Sequence, residues 1–289
     1  DVKSAFNVHV FGHSDIADLP AREVTSLQVA TMVRKVREAG KERTAGILRN
    51  YLVAAFNAAR RAPFDSAMSS ELIKFEVTAN PAEIVPAIAV NRGNRTLSSD
   101  ELSGYIACLG DDDAGGALLV ALLSGGQRMA QLLRAKVSDY DKDTATLRLW
   151  DCKGKRATPR EHALPLGPRA ATAVKALVEQ RGEADVLVFD VSERTAGNRV
   201  AQISAGMSGE PFDLRDIRRT VETMLASMGI SRDTRAQLLS HGISGVQAAH
   251  YDRHSYTAEK RAALVAWEAR LDELQTGKRA SNVLQMRSA

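Results

Sequence analysis

The amino-acid sequence predicts a mainly α-helical protein with one small antiparallel β-sheet. Along most of the chain, apolar residues recur at the three- and four-residue spacing of a helix that buries one face. Only residues 146–166 alternate apolar and polar side chains on both sides of a glycine-containing turn, as a β-hairpin does. With 289 residues, the chain is long enough for two domains that each bury a core.

A helical domain is predicted for the first ninety or so residues. Helical spacing runs from Ser26 to Glu38 and from Glu42 to Arg61. Between residues 34 and 61, eight Lys or Arg side chains stand against two acids, and this excess of six suits a surface that contacts phosphates. A solvated helix face is the alternative interpretation. We expect the DNA-binding residues to include Arg34, Lys35, Arg37, Lys41, Arg43, Arg60 and Arg61.

A linker is predicted near residue 92. Pro81, Pro86 and the polar run 91–95 are typical of loops. The next helix has a clear beginning, because Ser98 and Glu101 have the spacing of a capping box. The predicted divisions are 1–92, 93–275 and a polar tail at 276–289.

The second domain is predicted to be helical on both sides of the hairpin. Its last helix carries an apolar stripe formed by Leu264, Trp267, Leu271 and Leu274. So regular a stripe needs a partner surface, which is either its own domain or a neighbouring protomer. The other predicted helices span residues 114–123, 128–133, 168–180, 216–228 and 232–239.

Two separated segments each place an arginine where it could bind an anion. Arg128 follows Gly125 and Gly126, which predict a tight turn into an apolar helix whose first backbone amides favour an anion. Arg218 lies with Arg215 in a second basic cluster. A guanidinium stays charged, and its planar fork matches two oxygens of a phosphate.

Tyr251 is the candidate nucleophile that such a phosphate site would serve. It follows His241 by ten residues and comes after the second basic cluster. A phenol has a pKa of about 10, so it attacks poorly near neutral pH unless cations or a base assist it. Lys153, at the tip of the predicted hairpin, could protonate the leaving oxygen.

Each of these positions also has a plain structural interpretation. Arg128 could be a charge on a helix surface, and Lys153, close to Lys155, could be a solvated hairpin tip. His241 could be bonded to backbone at a helix end. Tyr256 is a rival nucleophile, but its place at the start of an apolar helical pattern indicates a packing residue.

Taken together, Arg128, Lys153, Arg218, His241 and Tyr251 resemble, in order and spacing, the active site of the tyrosine recombinases, the phage-type integrases. The resemblance extends from about residue 95 to residue 270. It implies a helical core-binding domain followed by a mostly helical catalytic domain with a small antiparallel sheet.

The resemblance implies that Tyr251 attacks a DNA phosphodiester, forms a 3′-phosphotyrosyl bond and frees a 5′-hydroxyl, which later attacks the phosphotyrosine of a partner strand. Arg128 and Arg218 would hold the phosphate, Lys153 would be the general acid, and His241 would bond a non-bridging oxygen. Neither ATP nor a metal or other cofactor is implied. The implied function is integration or excision of a mobile element, with double-stranded DNA attachment sites and a homotetramer on DNA as partners.

Two positions depart from the family pattern. Arg215 stands where a histidine is usual and cannot act as a base, so we expect it to add charge stabilisation instead. Gln131 stands where an acid is common; it could accept a bond from an arginine but adds no charge. A DNA-binding protein on the recombinase scaffold therefore remains an alternative, as does a type IB topoisomerase or telomere resolvase.

Composition supports an intracellular protein. The net charge of +4 favours a polyanionic partner only weakly, and the two cysteines form neither a metal motif nor a disulfide framework. No long apolar stretch or signal peptide is found, so we expect a cytoplasmic protein without a membrane segment. Because the sequence begins at Asp1 rather than Met, we also expect that a preceding segment was removed.

Overall fold

A computed structural model of the chain describes residues 2–12, 14–89, 93–152, 159–240 and 256–277. The chain divides into two units, Asp1–Arg92 and Gly93–Ala289. Each unit has a hydrophobic core of its own. Within the described ranges, no helix has the length and apolar character needed to cross a membrane.

The first unit is helical and is built around one helical hairpin. Helix α3 begins at a capping box in which Thr25 and Gln28 satisfy each other's backbone amides. Its apolar face packs against α4 through Val29, Met32, Leu48 and other buried residues. Its helices are α1 (Val2–His9), α2 (Ser14–Ala17), α3 (Ser26–Glu38) and α4 (Glu42–Arg61), with 3-10 turns at Ala21–Glu23, Ala62–Phe64 and Ser70–Phe75.

The segment that follows belongs to the first unit, so the linker predicted from Pro81 onward is wrong in its first half. Ala82 and Val85 are buried in the core of that unit. Arg49 on α4 donates from Nε to the Val85 carbonyl at 2.9 Å, which fixes the segment against the helix. Pro81 correctly indicated a turn, but the burial of Ala82 and Val85 makes this turn part of the first unit and not of a linker. Residues 90–92 lie outside the described residues.

The second unit is mainly helical with one small sheet, as the sequence predicts. The capping box of Ser98 and Glu101 is present and begins α5. The sequence prediction missed α9, which is polar and has Gly197 in its interior. Its helices are α5 (Ser99–Ala107), α6 (Asp113–Leu123), α7 (Met129–Leu132), α8 (Pro168–Arg181), α9 (Glu193–Gly206), α10 (Leu214–Ser227), α11 (Arg232–Leu238) and α12 (Thr257–Thr276).

The sheet has three antiparallel strands in the order β1 (Tyr140–Asp141), β2 (Thr146–Asp151) and β3 (Arg160–Pro165). Alternation sets which side chains are buried, so Leu147 and Leu164 form an inward pair while Trp150 is partly exposed. The last described pair before the hairpin turn joins Asp151 to Arg160. Residues 153–158 lie outside the described residues.

The apolar stripe of α12 packs into the core of its own unit. Leu264, Trp267 and Leu271 are each at most 1% exposed. The indole Nε1 of Trp267 donates to the carbonyl of Leu122 at 2.8 Å, which also satisfies the polar atom of this buried ring. The stripe therefore packs within its own unit, as the intramolecular interpretation predicts.

Candidate active site

A tight turn of two glycines brings the first arginine segment against α10. Gly125 and Gly126 have φ values of +83° and +77°, in the left-handed region. A Cβ at Gly125 would lie 2.7 Å from Leu238 Cδ2, and one at Gly126 would lie 3.3 Å from Arg218 Cα. Both the backbone conformation and the close approach favour glycine, and the residues that follow are held next to α10.

Arg128 and Arg218 line one cavity of about 200 Å³. Arg128 is the N-cap of α7, and Arg218 projects from the first half of α10. The guanidinium of Arg218 is oriented by two carbonyls: Nη1 donates to Gly126 at 2.6 Å and Nη2 donates to Leu239 at 2.8 Å. The fold thus brings together two arginines that are ninety residues apart in the sequence.

The cavity is electrostatically suited to an anion. Burial, and next the positive charge of Arg128, lower the pKa of Arg218 to about 10, while Glu222 acts in the opposite direction. Arg128 Nη1 is buried and has no hydrogen-bond partner among the described residues. Two close guanidinium groups repel each other, and an anion between them would relieve that repulsion and supply the missing acceptor. Glu193 is the one acid that lines the described part of this cavity.

Arg215 also lines the cavity, but it is engaged differently from the other two arginines. Its side chain is 68% exposed, and its Nε and Nη2 donate to one Asp213 oxygen at 3.0 and 2.5 Å. Asp213 caps α10 in a capping box with Asp216. Burial raises the pKa of Asp213, but the hydrogen bonds from Arg215 and from the backbone lower it further, so the pKa lies below its usual value and the carboxylate that pairs with Arg215 is ionised.

Gln131 is buried in the second unit, with 3% of its surface exposed. Both of its side-chain polar atoms lack a hydrogen-bond partner among the described residues. Among the described residues, no arginine donates to Gln131, although its amide oxygen could accept such a bond. An amide carries no charge, so Gln131 compensates none of the positive charge of the nearby chain segment that holds Arg128.

The other three residues of the predicted site, Lys153, His241 and Tyr251, lie outside the described residues. The described chain ends at Cys152 before Lys153 and at Ser240 before His241, and it resumes at Pro159 and at Tyr256. Tyr256 is the N-cap of α12, has a left-handed backbone conformation and is partly buried.

Several polar residues next to this site were not singled out from the sequence. His162 on β3 is buried, and its Nε2 lies 3.1 Å from the Leu238 carbonyl. Burial and the charges of Lys260 and Arg160 lower the pKa of His162 to about 3, so the ring is neutral. Lys260 on α12 donates to the Ala163 carbonyl at 2.6 Å. Strand alternation was the available signal, because it turns His162 toward the core.

The basic surface predicted in the first unit is largely exposed. Arg37 pairs with Glu42 at 2.8 Å, and Arg60 pairs more weakly with Glu83 at 3.4 Å. Surface pairs of this kind contribute little to stability and exchange readily for another anion. The remaining predicted DNA-binding residues, Arg34, Lys35, Lys41, Arg43 and Arg61, are all exposed.

The fold of the chain is that of the tyrosine recombinases. Lambda integrase, crystallised as a dimer bound to a COC′ core site, superposes with a TM-score of 0.60 and 20% identity, covering 88% of this chain and 89% of that chain. A lambda integrase tetramer bound to a Holliday junction has a TM-score of 0.58 and 19% identity, covering 87% and 72%. The Tn1549 transposon integrase in complex with transposon right end DNA has a TM-score of 0.56 and 13% identity, covering 89% of each chain.

These likenesses confirm the fold expected from the sequence. At identities of 13 to 20% they establish the fold and no more. No protein-family model matches the sequence, and no curated protein is significantly similar to it.

Proposed function

We propose that this protein is a site-specific DNA recombinase that cleaves and rejoins DNA through a 3′-phosphotyrosyl intermediate. The observation that carries the proposal is the cavity between Arg128 and Arg218, in which a buried guanidinium nitrogen of Arg128 has no partner among the described residues. A phosphodiester has the charge and the two non-bridging oxygens that this pair of guanidinium groups would bind.

In the proposed reaction, Tyr251 Oη attacks the phosphorus and the bond from phosphorus to the 5′ oxygen breaks. Lys153 gives its proton to that oxygen, which leaves as a hydroxyl, and the phosphoryl group stays on the tyrosine. Arg128 and Arg218 stabilise the charge of the pentacoordinate transition state, and His241 bonds a non-bridging oxygen. The hydroxyl of a partner strand then reverses the chemistry, so no bond energy is lost between the two steps.

Arg215 has a supporting role in this proposal. Its ion pair with Asp213 is exposed, so the guanidinium can turn from the carboxylate to a phosphate as DNA arrives. It does not remove the proton of Tyr251, because arginine stays protonated near neutral pH. Arg215→Ala should therefore slow cleavage less than Arg128→Ala does, and equal losses would contradict this ranking.

The partners proposed for the chain are double-stranded DNA attachment sites and further copies of itself. Unit 1–92 is the core-binding domain in this proposal, and its exposed basic side chains hold the DNA backbone. Lambda integrase, which shares the fold, was crystallised as a dimer bound to a core site and as a tetramer bound to a Holliday junction. A tetramer on DNA is the proposed assembly, and integration or excision of a mobile element in the cytoplasm is the proposed role.

The test is to trap the covalent intermediate. A binding site is first selected from a pool of random DNA duplexes, and the selected site is nicked close to the scissile phosphate so that the short 5′ product diffuses away. We expect a protein–DNA adduct that survives denaturation, disappears in Tyr251→Phe and remains in Tyr256→Phe, the matched tyrosine control. Arg128→Ala should lower the rate of adduct formation by about 100-fold or more, as for loss of one transition-state donor.

A DNA-binding protein on the recombinase scaffold is the second candidate function. It is favoured by the uncharged Gln131 and by the occupation of Arg215 with Asp213. Selective DNA binding without any adduct would support it and overturn the recombinase. Relaxation of supercoiled DNA without a preferred sequence would instead indicate a type IB topoisomerase, and closure of DNA hairpins would indicate a telomere resolvase.

A further inference from the structure

Three polar residues connect the base of the β2–β3 hairpin to the end of α11. Arg160 Nη2 donates to Ser240 Oγ at 2.7 Å, and Ser240 Oγ donates to Asp151 Oδ2 at 3.2 Å. Arg160 Nη2 also lies 4.0 Å from the same carboxylate oxygen. Arg160 and Asp151 are opposite each other in the strand register. We call Asp151, Arg160 and Ser240 the hairpin-base triad.

Two members of the triad are buried, and Arg160 reaches them with a side chain that is 39% exposed. Asp151 is 6% exposed and Ser240 is 3% exposed. A buried carboxylate is costly unless charged or hydrogen-bonding groups compensate it, so removal of one partner strains the remaining two. Ser240 also has a φ of +50°, in the left-handed region that a serine seldom adopts. The surrounding bonds therefore hold this backbone conformation in place.

The serine end of the triad is fixed to the frame of the arginine cavity. The carbonyl of Leu238 accepts a bond from Gln127 Nε2 at 2.9 Å, and the carbonyl of Leu239 accepts one from Arg218. Gln127 immediately precedes the other cavity arginine in the chain. These carbonyls at the end of α11 have no acceptor role within the helix, so such bonds fix the segment. Consequently Ser240 and the two cavity arginines belong to one connected frame.

The other end of the triad is the hairpin that carries the proposed general acid. In the sequence, Lys153 is separated from Asp151 by one residue, and β3 begins at Arg160. Cross-strand contacts stabilise a β-hairpin, and Asp151 and Arg160 are the last described pair of this one. The triad is a side-chain link between this strand pair and the end of α11.

We propose that Arg160 is a positioning residue, which holds the hairpin base against Ser240 and thereby places Lys153 to protonate the leaving 5′ oxygen. The inference rests on the proposed recombinase function. A displacement of about 1 Å at a reacting group can cost about 100-fold in rate, because proton transfer requires hydrogen-bond reach. Loss of the triad should therefore slow the chemical step and leave DNA affinity unchanged.

The test uses a substrate that does not need the general acid. Replacing the bridging 5′ oxygen by sulfur gives a thiolate leaving group, and a thiol has a pKa of only about 8.5, so it leaves without a proton. With the ordinary oxygen substrate, we expect Arg160→Ala to form the covalent adduct about 100-fold more slowly than the unmodified protein. With the sulfur substrate, its rate should be within about threefold of the unmodified protein, and Lys153→Ala should show the same pattern.

Two further variants separate positioning from general damage. Arg160→Lys keeps a donor and should recover part of the rate on the oxygen substrate, and Ser240→Ala should reproduce the sulfur rescue. Arg148→Ala is the matched control, because Arg148 is an exposed arginine of β2 that bonds the Ser138 carbonyl. It should keep both rates within about twofold, as surface substitutions usually do. If Arg160→Ala fails to fold, as judged by thermal unfolding, Arg160→Lys and Ser240→Ala carry the test.

The inference is overturned if Arg160→Ala is as slow on the sulfur substrate as on the oxygen substrate, or if it keeps the full rate on both. The first result would mean that Arg160 supports the nucleophile or the arginine cavity. Failure of the proposed function looks different, because the unmodified protein would then form no adduct on either substrate. That outcome would remove the general acid and the inference together.

Discussion

Replacing Trp267 by alanine should destabilise the second unit strongly, because this ring is buried at the centre of its core. Trp267 is fully buried and its Nε1 donates to the Leu122 carbonyl at 2.8 Å. A tryptophan buries roughly 200 Å², which at about 25 cal/mol per Å² corresponds to about 5 kcal/mol as an upper estimate. The lost hydrogen bond adds about 1 kcal/mol, and the retained Cβ subtracts a similar amount. These contributions come to about 5 kcal/mol, and because the area figure is an upper estimate we expect a loss of about 4 kcal/mol, within the range of large-to-small core substitutions.

The assay is hydrogen exchange followed by mass spectrometry, which measures the free energy of opening for each segment. Peptides from α6 and α10 should lose protection in Trp267→Ala, and those from α3 and α4 in the other unit should be unchanged. Val265→Ala is the matched control on the same helix, because Val265 is 45% exposed. That variant should cost below about 1 kcal/mol.

A different result would refute the reasoning. If Trp267→Ala loses less than about 1 kcal/mol in the second unit while assembly on DNA fails, the ring would be docking onto a neighbouring protomer instead of its own core. An equal loss of protection in both units would also contradict it.

Three further predictions concern the polar and glycine positions of the second unit. The pKa of His162 is about 3, below its ordinary value, so the unfolded chain takes up a proton first as pH falls. Stability should therefore decrease from about pH 6.5 downward, by about 2 kcal/mol at about pH 5, and acid titration of unfolding should show a smaller decrease in His162→Gln. Gly125→Ala should lower the free energy of unfolding in urea by about 2 kcal/mol or more, because its φ is +83° and a Cβ would lie 2.7 Å from Leu238. Gly116→Ala, in open space on α6, should raise it by up to about 1 kcal/mol. Equal effects of the two substitutions would contradict the strained, crowded turn assigned to Gly125. Glu268→Ala should lower the free energy of unfolding by about 1 to 2 kcal/mol, because Glu268 accepts hydrogen bonds from the first backbone amides of α8. The melting temperature should fall and the start of α8 should exchange faster. Unchanged protection there would contradict the capping role.

The helix boundaries predicted most accurately are those of α3 and α4, and they were predicted from residues close together in the chain. Helix α3 runs from Ser26 to Glu38 and α4 from Glu42 to Arg61, both as the sequence indicates. The capping residues of α3, Thr25 and Gln28, are three positions apart in the chain, so the hydrogen bonds that begin this helix are determined locally. Helix α9 was missed because its polar surface and interior glycine weaken the helical period, although Ser192 caps it.

The candidate site was predictable in its residue types but only partly in its geometry. The two glycines before Arg128 indicated a turn, and the structure adds that this turn packs on α10 beside Arg218. The sequence predicts that Arg215 lies in a basic cluster, but it does not predict the ion pair of Arg215 with Asp213. The roles of Lys153, His241 and Tyr251 stay predictions, because these residues lie outside the described residues.

The sequence by itself determined the fold class, the starts of α3 and α5 and the tight glycine turn before Arg128, because periodicity, capping and glycine turns involve residues that are close together in the chain. The tertiary structure alone decided that the Trp267 face packs inward, that Arg128 and Arg218 share a cavity, and that Arg160 reaches Ser240 eighty residues away. Contacts of this kind depend on how separate elements pack in three dimensions. A linear pattern shows which side chains need a partner, and packing decides which partner each one finds.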